Sequence, residues 1–492
     1  MKLLDELKIQ AAILETRRHF LKQCTSGLGM MALGTMMDGC GSGNVKDNNS
    51  LNIKDITSKL PHFAPKAKSV IFLHMAGSPS QLELWDYKPE LSKLNGQPCP
   101  PSFLEGKTFA FIRGVPNMLG SLGNFKQYGQ SGTYLSDYFE HLPQVVDEIS
   151  FMKAMYTDQF NHAPAQLFMH TGSARLGRPS MGSWATYGLG SENANLPGFV
   201  VLNSGGKSPD AGKSIWGSGF LPSVYQGVQC RSEGDPVLFL TDPNGLDRDL
   251  RKKAINALSE VNRKQYEAFK DPETLARIAQ YEMAFKMQIS VPEVMDISKE
   301  SPKTHESYGT EIGKSSFANN CLLARKLVEQ GVRFVQLYDW GWDTHGDHKM
   351  ASLEYGLRFK VKEIDRAITA LILDLKQRGL LDETLIVFGT EFGRTPMEEN
   401  RGGKKMPFKG RDHHTDAFTC WMAGGGIKRG FSMGESDEFG YFGIQDRTHI
   451  HDLQATILHQ LGFDHEKLTY EFQGRNFRLT DVAGKVIQKV VA

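Results

Sequence analysis

Three short stretches of the chain crowd together side chains able to bind a cation or move a proton. Residues 331–348 read GVRFVQLYDWGWDTHGDH and crowd Asp339, Asp343, His345, Asp347 and His348 together. Residues 391–396, EFGRTP, bring Glu391 and Arg394, and residues 410–416, GRDHHTD, bring Arg411, Asp412, His413 and His414. Mixed carboxylates and imidazoles suit a hard-to-borderline divalent cation such as zinc or manganese, whose open coordination position activates water or polarises a substrate oxygen. Asp343, His345, Glu391, His413 and His414 are therefore the candidate ligands. A structural hydrogen-bond network among the same groups is the competing reading.

Two further stretches offer groups for an anion. Residues 157–172, TDQFNHAPAQLFMHTG, place His162 at the start of a helix that runs on past Pro164. A helix N-terminus favours negative charge, including that of a transition state. His162 is thus the candidate catalytic side chain, with helix capping as its plainer role, while His170 is expected to be a buried, satisfied side chain. The turn AGSPS at 76–80 can present backbone amides to an anion, which makes Ser78 a candidate substrate contact. Arg394 and Arg411 are the candidates for holding an anionic group.

Elements just before these stretches must position them. Val332, Phe334, Val335, Leu337 and Tyr338 form a short apolar run that suits a buried strand. Phe317, Cys321, Ala324 and Val328 recur at helical spacing before it, with Gly331 as the stop. Further strands are expected at 69–75, 196–203, 384–390 and 417–423. A long helix carries the stripe Leu353, Leu357, Val361, Ile364, Ile368, Leu371 and Leu375, and a final helix spans 452–461. This alternation predicts an α/β fold, a mainly parallel sheet with helices on both faces, with ligands beyond the strands' carboxyl ends.

Composition excludes several classes. The 492 residues carry 57 Lys and Arg against 56 Asp and Glu, and no stretch concentrates basic residues among stacking aromatics, so no nucleic-acid partner is expected. No interior segment has about 18 uninterrupted apolar residues, which excludes a membrane-spanning bundle. The six cysteines include no CxxC pair, so a thiolate zinc site is not expected. At the start, TRRHFLK at 16–22 is a twin-arginine export signature followed by a weak apolar run at 28–37. Cys40, in MMDGC, is a candidate lipid attachment point. The expected organisation is a signal at 1–40, a polar linker at 41–66, and a folded unit at 67–492. An insertion at about 205–311, with charged helices split near Pro272, is expected to cover the substrate mouth. The mature protein would work in the periplasm or on the outer surface.

Taken together, TRRHFLK, NHAPAQLFMHTG, GWDTHGDH, TEFGRTP, GRDHHTDAF and LTYEFQGRNFRLTDVAG resemble the exported domain-of-unknown-function 1501 family. That family lies within the alkaline phosphatase and sulfatase superfamily. The resemblance covers nearly the whole chain and implies an alkaline-phosphatase-like three-layer sandwich. In sulfatases the nucleophile opens a C-x-P-x-R motif ahead of Thr-Gly, and here His162 holds that place ahead of Thr171-Gly172. His74-Met75-Ala76 stands where the first strand normally ends in metal-binding aspartates, and Glu391-Phe392 where Asp-His is usual. Asp343, His345 and one of His413 or His414 match the other metal position, which implies one divalent ion. The implied function is hydrolysis of sulfate or phosphate esters on an anionic small molecule or glycan. A non-catalytic member that binds a glycan or partner protein is the alternative.

Overall fold

A computed structural model of the chain describes residues 60–237, 248–269 and 272–492. The twin-arginine stretch, Cys40 and most of the expected linker lie outside the described residues. The linker's last residues are docked: the His62 and Phe63 amides both donate to the Gly462 carbonyl.

Nine strands form one sheet: β1 Ser69–Ala76, β2 Ile149–Tyr156, β3 Phe199–Ser204, β4 Val228–Cys230, β5 Phe334–Trp340, β6 Thr384–Gly389, β7 Phe418–Ala423, β8 Phe431–Met433 and β9 Thr448–His449. Their order is β8-β2-β7-β6-β1-β5-β3-β4, with β9 also beside β2. Every residue of β1 and β6 is buried, as a central strand covered on both faces requires. Pairings are parallel except the two made by β7. Residues 417–423 were expected to continue the parallel order. They run the other way because residues 390–417 contain no crossover helix, so the chain stays at the sheet's carboxyl edge and must descend from there.

The helices used below are α1 His162–Thr171, α2 Met181–Leu189, α3 Arg248–Phe269, α4 Pro272–Met295, α5 Phe317–Glu329, α6 Arg358–Gln377 and α7 Ile450–Gln460. Side-chain alternation along β1 divides the core. Ile71, Leu73 and Met75 pack with Leu323 and Leu327 of α5 and Ile364 and Ile368 of α6. Val70 and Phe72 pack on the opposite face with Phe168 of α1, Trp184 of α2 and Leu453 of α7. The result is three layers, helices on both sides of a mainly parallel sheet. Leu371, fully buried on α6, belongs to the expected stripe, and its truncation to Ala would cost about 2–5 kcal/mol.

Within 205–311, β4 extends the main sheet beside β3. Gly205, Gly206, Tyr308 and Gly309, near the two ends of that segment, line the cavity discussed below. Cys99, Cys230, Cys321 and Cys420 are buried free thiols. Among the described residues, no helix is long and apolar enough to cross a membrane.

Candidate metal centre

The carboxyl edge of the sheet gathers groups from four places in the chain. β5 ends at Trp340, and the loop after it carries Asp343 and His345. That loop lies flat on the connection after β6: a Cβ on Gly346 would sit 2.3 Å from the Phe408 carbonyl, and one on Gly410 would sit 2.0 Å from the His345 carbonyl carbon. Glycine at both positions allows the close approach that brings His345 to His413. His162 is the first residue of α1, and Glu391 lies two residues beyond β6.

His162, Asp343, His345 and His413 converge, with one ligand atom from each lying within 4.8 Å of all the others. Asp343 Oδ1 is 2.8 Å from His345 Nε2, 3.3 Å from His162 Nε2 and 3.5 Å from His413 Nε2. His345 and His413 Nε2 lie 3.1 Å apart. Each ring's other nitrogen is engaged behind the group. His162 Nδ1 meets Glu391 Oε1 at 2.8 Å, His345 Nδ1 meets Glu399, and His413 Nδ1 donates to the Phe160 carbonyl at 2.7 Å. A partner on Nδ1 fixes the tautomer, so the Nε2 lone pairs point inward.

Electrostatics fit the same arrangement. Burial works against the Asp343 carboxylate, yet the Arg394 guanidinium and the three rings hold it well below the usual range. Burial also lowers His162, but Asp343 and Glu391 outweigh it and raise the ring to about 9. His345 is raised in the same way by Asp343 and Glu399. His413 goes down to about 4, pushed by burial and by the charges of Arg394, His162 and His345, with Asp343 opposing. His413 is thus neutral at pH 7 while His162 carries a proton that a cation would displace. Three imidazoles and one carboxylate, with His162 Nε2 buried and lacking a hydrogen-bond partner, fit a divalent cation by donor type and by orientation.

The other expected site residues are placed differently. Glu391 is fully buried behind His162, where it also accepts from the Gly77 amide at 3.0 Å and Gln166 Nε2 at 3.1 Å and lies 3.2 Å from His74 Nε2. It orients a ligand and is not among the four converging groups. His414, expected as an alternative ligand, faces away: its Nε2 meets the Tyr441 carbonyl and its ring stacks on Tyr441. Arg394, expected to hold an anionic group, is fully buried and donates to the carbonyls of Ser78, Gly77 and Arg411 and to Asp343 Oδ1 at 2.6 Å. Arg411 is likewise buried, in a pair with Glu83 at 2.6 Å. Ser78, expected as a substrate contact, has φ 62° and is buried, its hydroxyl without a partner among the described residues and its carbonyl helping to hold Arg394. His170 is buried as expected, 3.2 Å from His74 Nδ1 and 2.7 Å from Gln336 Nε2.

Sequence reasoning missed Glu399 and Arg401, and read His74 only as a departure from the aspartates usual at that strand end. Nothing in MEENRGG at 397–403 marks Glu399 as the partner of a histidine 54 residues away. His345, Glu399 and Asp412 form a second cluster of possible ligands. It is not an independent site. Asp412 accepts from the Phe111, Ile112 and His413 amides, and Glu399 is shared between His345 and Arg401.

Asp343 and His345 line a cavity of about 840 Å³. Arg401 lines it too, with its guanidinium 4.4 Å from the Phe111 ring centroid, and Phe111 packs edge-on to His345 and His413.

Fold and site define a three-layer α/β protein with a candidate three-histidine, one-aspartate metal group at the carboxyl edge of its sheet. The chain belongs to the family described as Protein of unknown function (DUF1501), whose model matches residues 67–491. No curated protein sequence matches it. Among solved structures it is similar to a sulfatase from Pseudoalteromonas sp., at 13% identity, 81% of this chain, 68% of that chain and a TM-score of 0.35. It is also similar to an alkaline phosphatase superfamily protein from Vibrio parahaemolyticus, at 11% identity, 82% and 68% coverage and 0.31. A third is the lipoteichoic acid synthase LtaP from Listeria monocytogenes, at 11% identity, 87% and 79% coverage and 0.34. Similarity this low carries no chemistry across, so the site rests on this chain's own residues.

Proposed function

We propose that the protein is an exported hydrolase of sulfate or phosphate esters that works with one divalent ion, zinc or manganese, held by His162, Asp343, His345 and His413. The observation that carries this reading is the convergence of three Nε2 atoms and one carboxylate oxygen within 4.8 Å, with every Nδ1 engaged behind them. The bound ion would supply Lewis acidity beside the cavity that Asp343 and His345 line. The chain's own groups hold that arrangement. Glu391 and Glu399 fix two rings, and Arg394 holds the inward carboxylate of Asp343 by charge and by a rigid set of backbone contacts. With Arg394 and Arg411 committed internally, Arg401, which with Arg366 lines the cavity wall, is the guanidinium beside His345 that can meet an anionic ester group.

A second reading is a metal-stabilised module that binds a glycan or partner protein without turnover. The internal commitment of Arg394 and Arg411 favours it, because two of the expected anion contacts are unavailable to a substrate. A screen of chromogenic sulfate and phosphate esters separates the two readings. The hydrolase reading expects turnover that falls at least about a hundredfold in Asp343→Ala. Absence of turnover in metal-loaded protein, or turnover untouched by Asp343→Ala, would favour the binding module.

TRRHFLK supports the export part of this proposal, and Cys40 is its candidate attachment point. Replacing Arg17 and Arg18 with Lys is expected to retain the protein in the cytoplasm, and Cys40→Ser to release it from membranes. Unchanged fractionation in both variants would contradict this part of the proposal.

A further inference from the structure

A second cavity, of about 530 Å³, lies against the edge of the sheet where β8 and β2 pair. It shares no lining residue with the cavity at Asp343. Lys153 of β2 lines it, flanked along the strand by the buried Phe151, Met152, Ala154 and Met155. Apolar side chains satisfy the fold on either side of this position, yet it carries a half-buried lysine on the cavity wall. Among the described residues no hydrogen-bond or ion-pair partner reaches its ammonium group.

The neighbouring charges are already matched. Asp86 is held by Lys88 Nζ at 3.3 Å and the Ser436 hydroxyl at 2.5 Å, and Asp446 by Lys489 Nζ at 2.6 Å. Glu435 lies at the exposed margin. Asp86 attracts Lys153 and Lys88 repels it, while burial lowers its pKa. The Lys153 ammonium is thus left facing the cavity for an anionic group to meet. Around it stand the rings of Tyr87, Tyr134 and Phe431, the first two 4.9 Å apart at 35°.

We propose that this cavity binds a small oxyanion carried on a flat ring, with Lys153 as the counter-charge and the tyrosine and phenylalanine rings as the wall. Carboxylate and sulfonate groups share the required chemistry, and their source is not specified by the site. The cavity is separate from the metal centre, so its occupancy does not require the Asp343 group.

The test is calorimetric titration of the full metal-loaded protein with benzenesulfonate, benzoate and inorganic sulfate. Wild type is expected to bind benzenesulfonate or benzoate at one site. Lys153→Met should weaken that binding roughly tenfold or more, the loss expected when a charge-assisted contact is removed. Lys153→Arg should retain it, and Asp343→Ala should leave it unchanged. Equal binding by Lys153→Met, no binding by wild type, or loss in Asp343→Ala would overturn the proposal. Inorganic sulfate binding as tightly as benzenesulfonate would overturn the ring contribution. If Lys153→Met fails to fold, acetylation of Lys153 in wild type supplies the readout, because saturating benzenesulfonate should slow its modification. Unslowed modification overturns the proposal.

Discussion

His345 and His413 face each other Nε2 to Nε2 at 3.1 Å, and each ring's Nδ1 is held by another partner. Asp343 and Glu399 raise His345 and so favour a proton on it, while His413, pushed down, offers its Nε2 lone pair. A divalent cation held by both Nε2 atoms and Asp343 would take that proton's place. Stripping the ion with a chelator is therefore expected to lower Tm, since a ligand present at about 1,000 times its Kd stabilises a fold by about 4 kcal/mol. Thermal melts with and without chelator check this, and an unchanged Tm would contradict it.

His414 supplies the internal control. It sits beside His413 in a two-residue strand, and alternation turns adjacent side chains to opposite faces. His414→Ala is expected to keep full metal content and lose about 1–2 kcal/mol from its buried contact with Tyr441. His413→Ala is expected to lose the metal. Urea unfolding beside metal analysis of both variants distinguishes them, and equal metal loss in the two would be the wrong outcome.

Glu391 and Glu399 act through the rings they hold. Glu391→Gln keeps shape but weakens the acceptor behind His162, so metal affinity should fall about 10–100-fold, as for other partners of metal-bound histidines. Glu399→Gln should behave alike through His345. Competition against a chromogenic chelator measures both. Affinity equal to wild type would remove the orienting role.

The metal-free protein should show a distinctive pH dependence. His162 is raised in the fold to about 9, above an unfolded value near 6.5. Its stabilisation is fully present below about pH 6.5 and is lost as pH rises through about 9. With chelator present, the stability difference between wild type and His162→Gln is therefore expected to shrink from about pH 6.5 to 9. Denaturant titrations across that range check the slope, and a difference that grows with pH would contradict it.

Much of this grouping was legible in the sequence, for a physical reason. Asp343, His345, Glu391 and His162 all follow apolar strand runs, and strand ends in α/β sheets open onto one edge. Which groups face inward was not legible. His413 and His414 are adjacent in sequence, and only strand pairing with Gly393–Arg394 decides which one turns toward Asp343. Arg394 and Arg411 read as anion binders because a sequence does not reveal that the Gly77 and Ser78 carbonyls and Glu83 claim them. β7 read as another parallel strand because the missing crossover helix in residues 390–417 signals its direction only through topology.

Arg394 and Asp343 form a pair sensitive to truncation. Asp343→Ala leaves a fully buried guanidinium without its carboxylate, and a broken buried pair costs about 3–5 kcal/mol. About a third of the Asp343 side chain is accessible, so about 2 kcal/mol is the expected loss. Asp343→Asn should recover part of that stability without restoring metal binding. Equal stability of Asp343→Ala and wild type in chelator would contradict the pairing.

The central claim is metal occupancy by His162, Asp343, His345 and His413. Elemental analysis of protein purified without chelator tests it directly. About one divalent ion per chain is expected in wild type and His414→Ala, falling below roughly a tenth in Asp343→Ala and His413→Ala. Metal-free wild-type protein that takes up no zinc or manganese, or equal metal content in all four proteins, would contradict the claim.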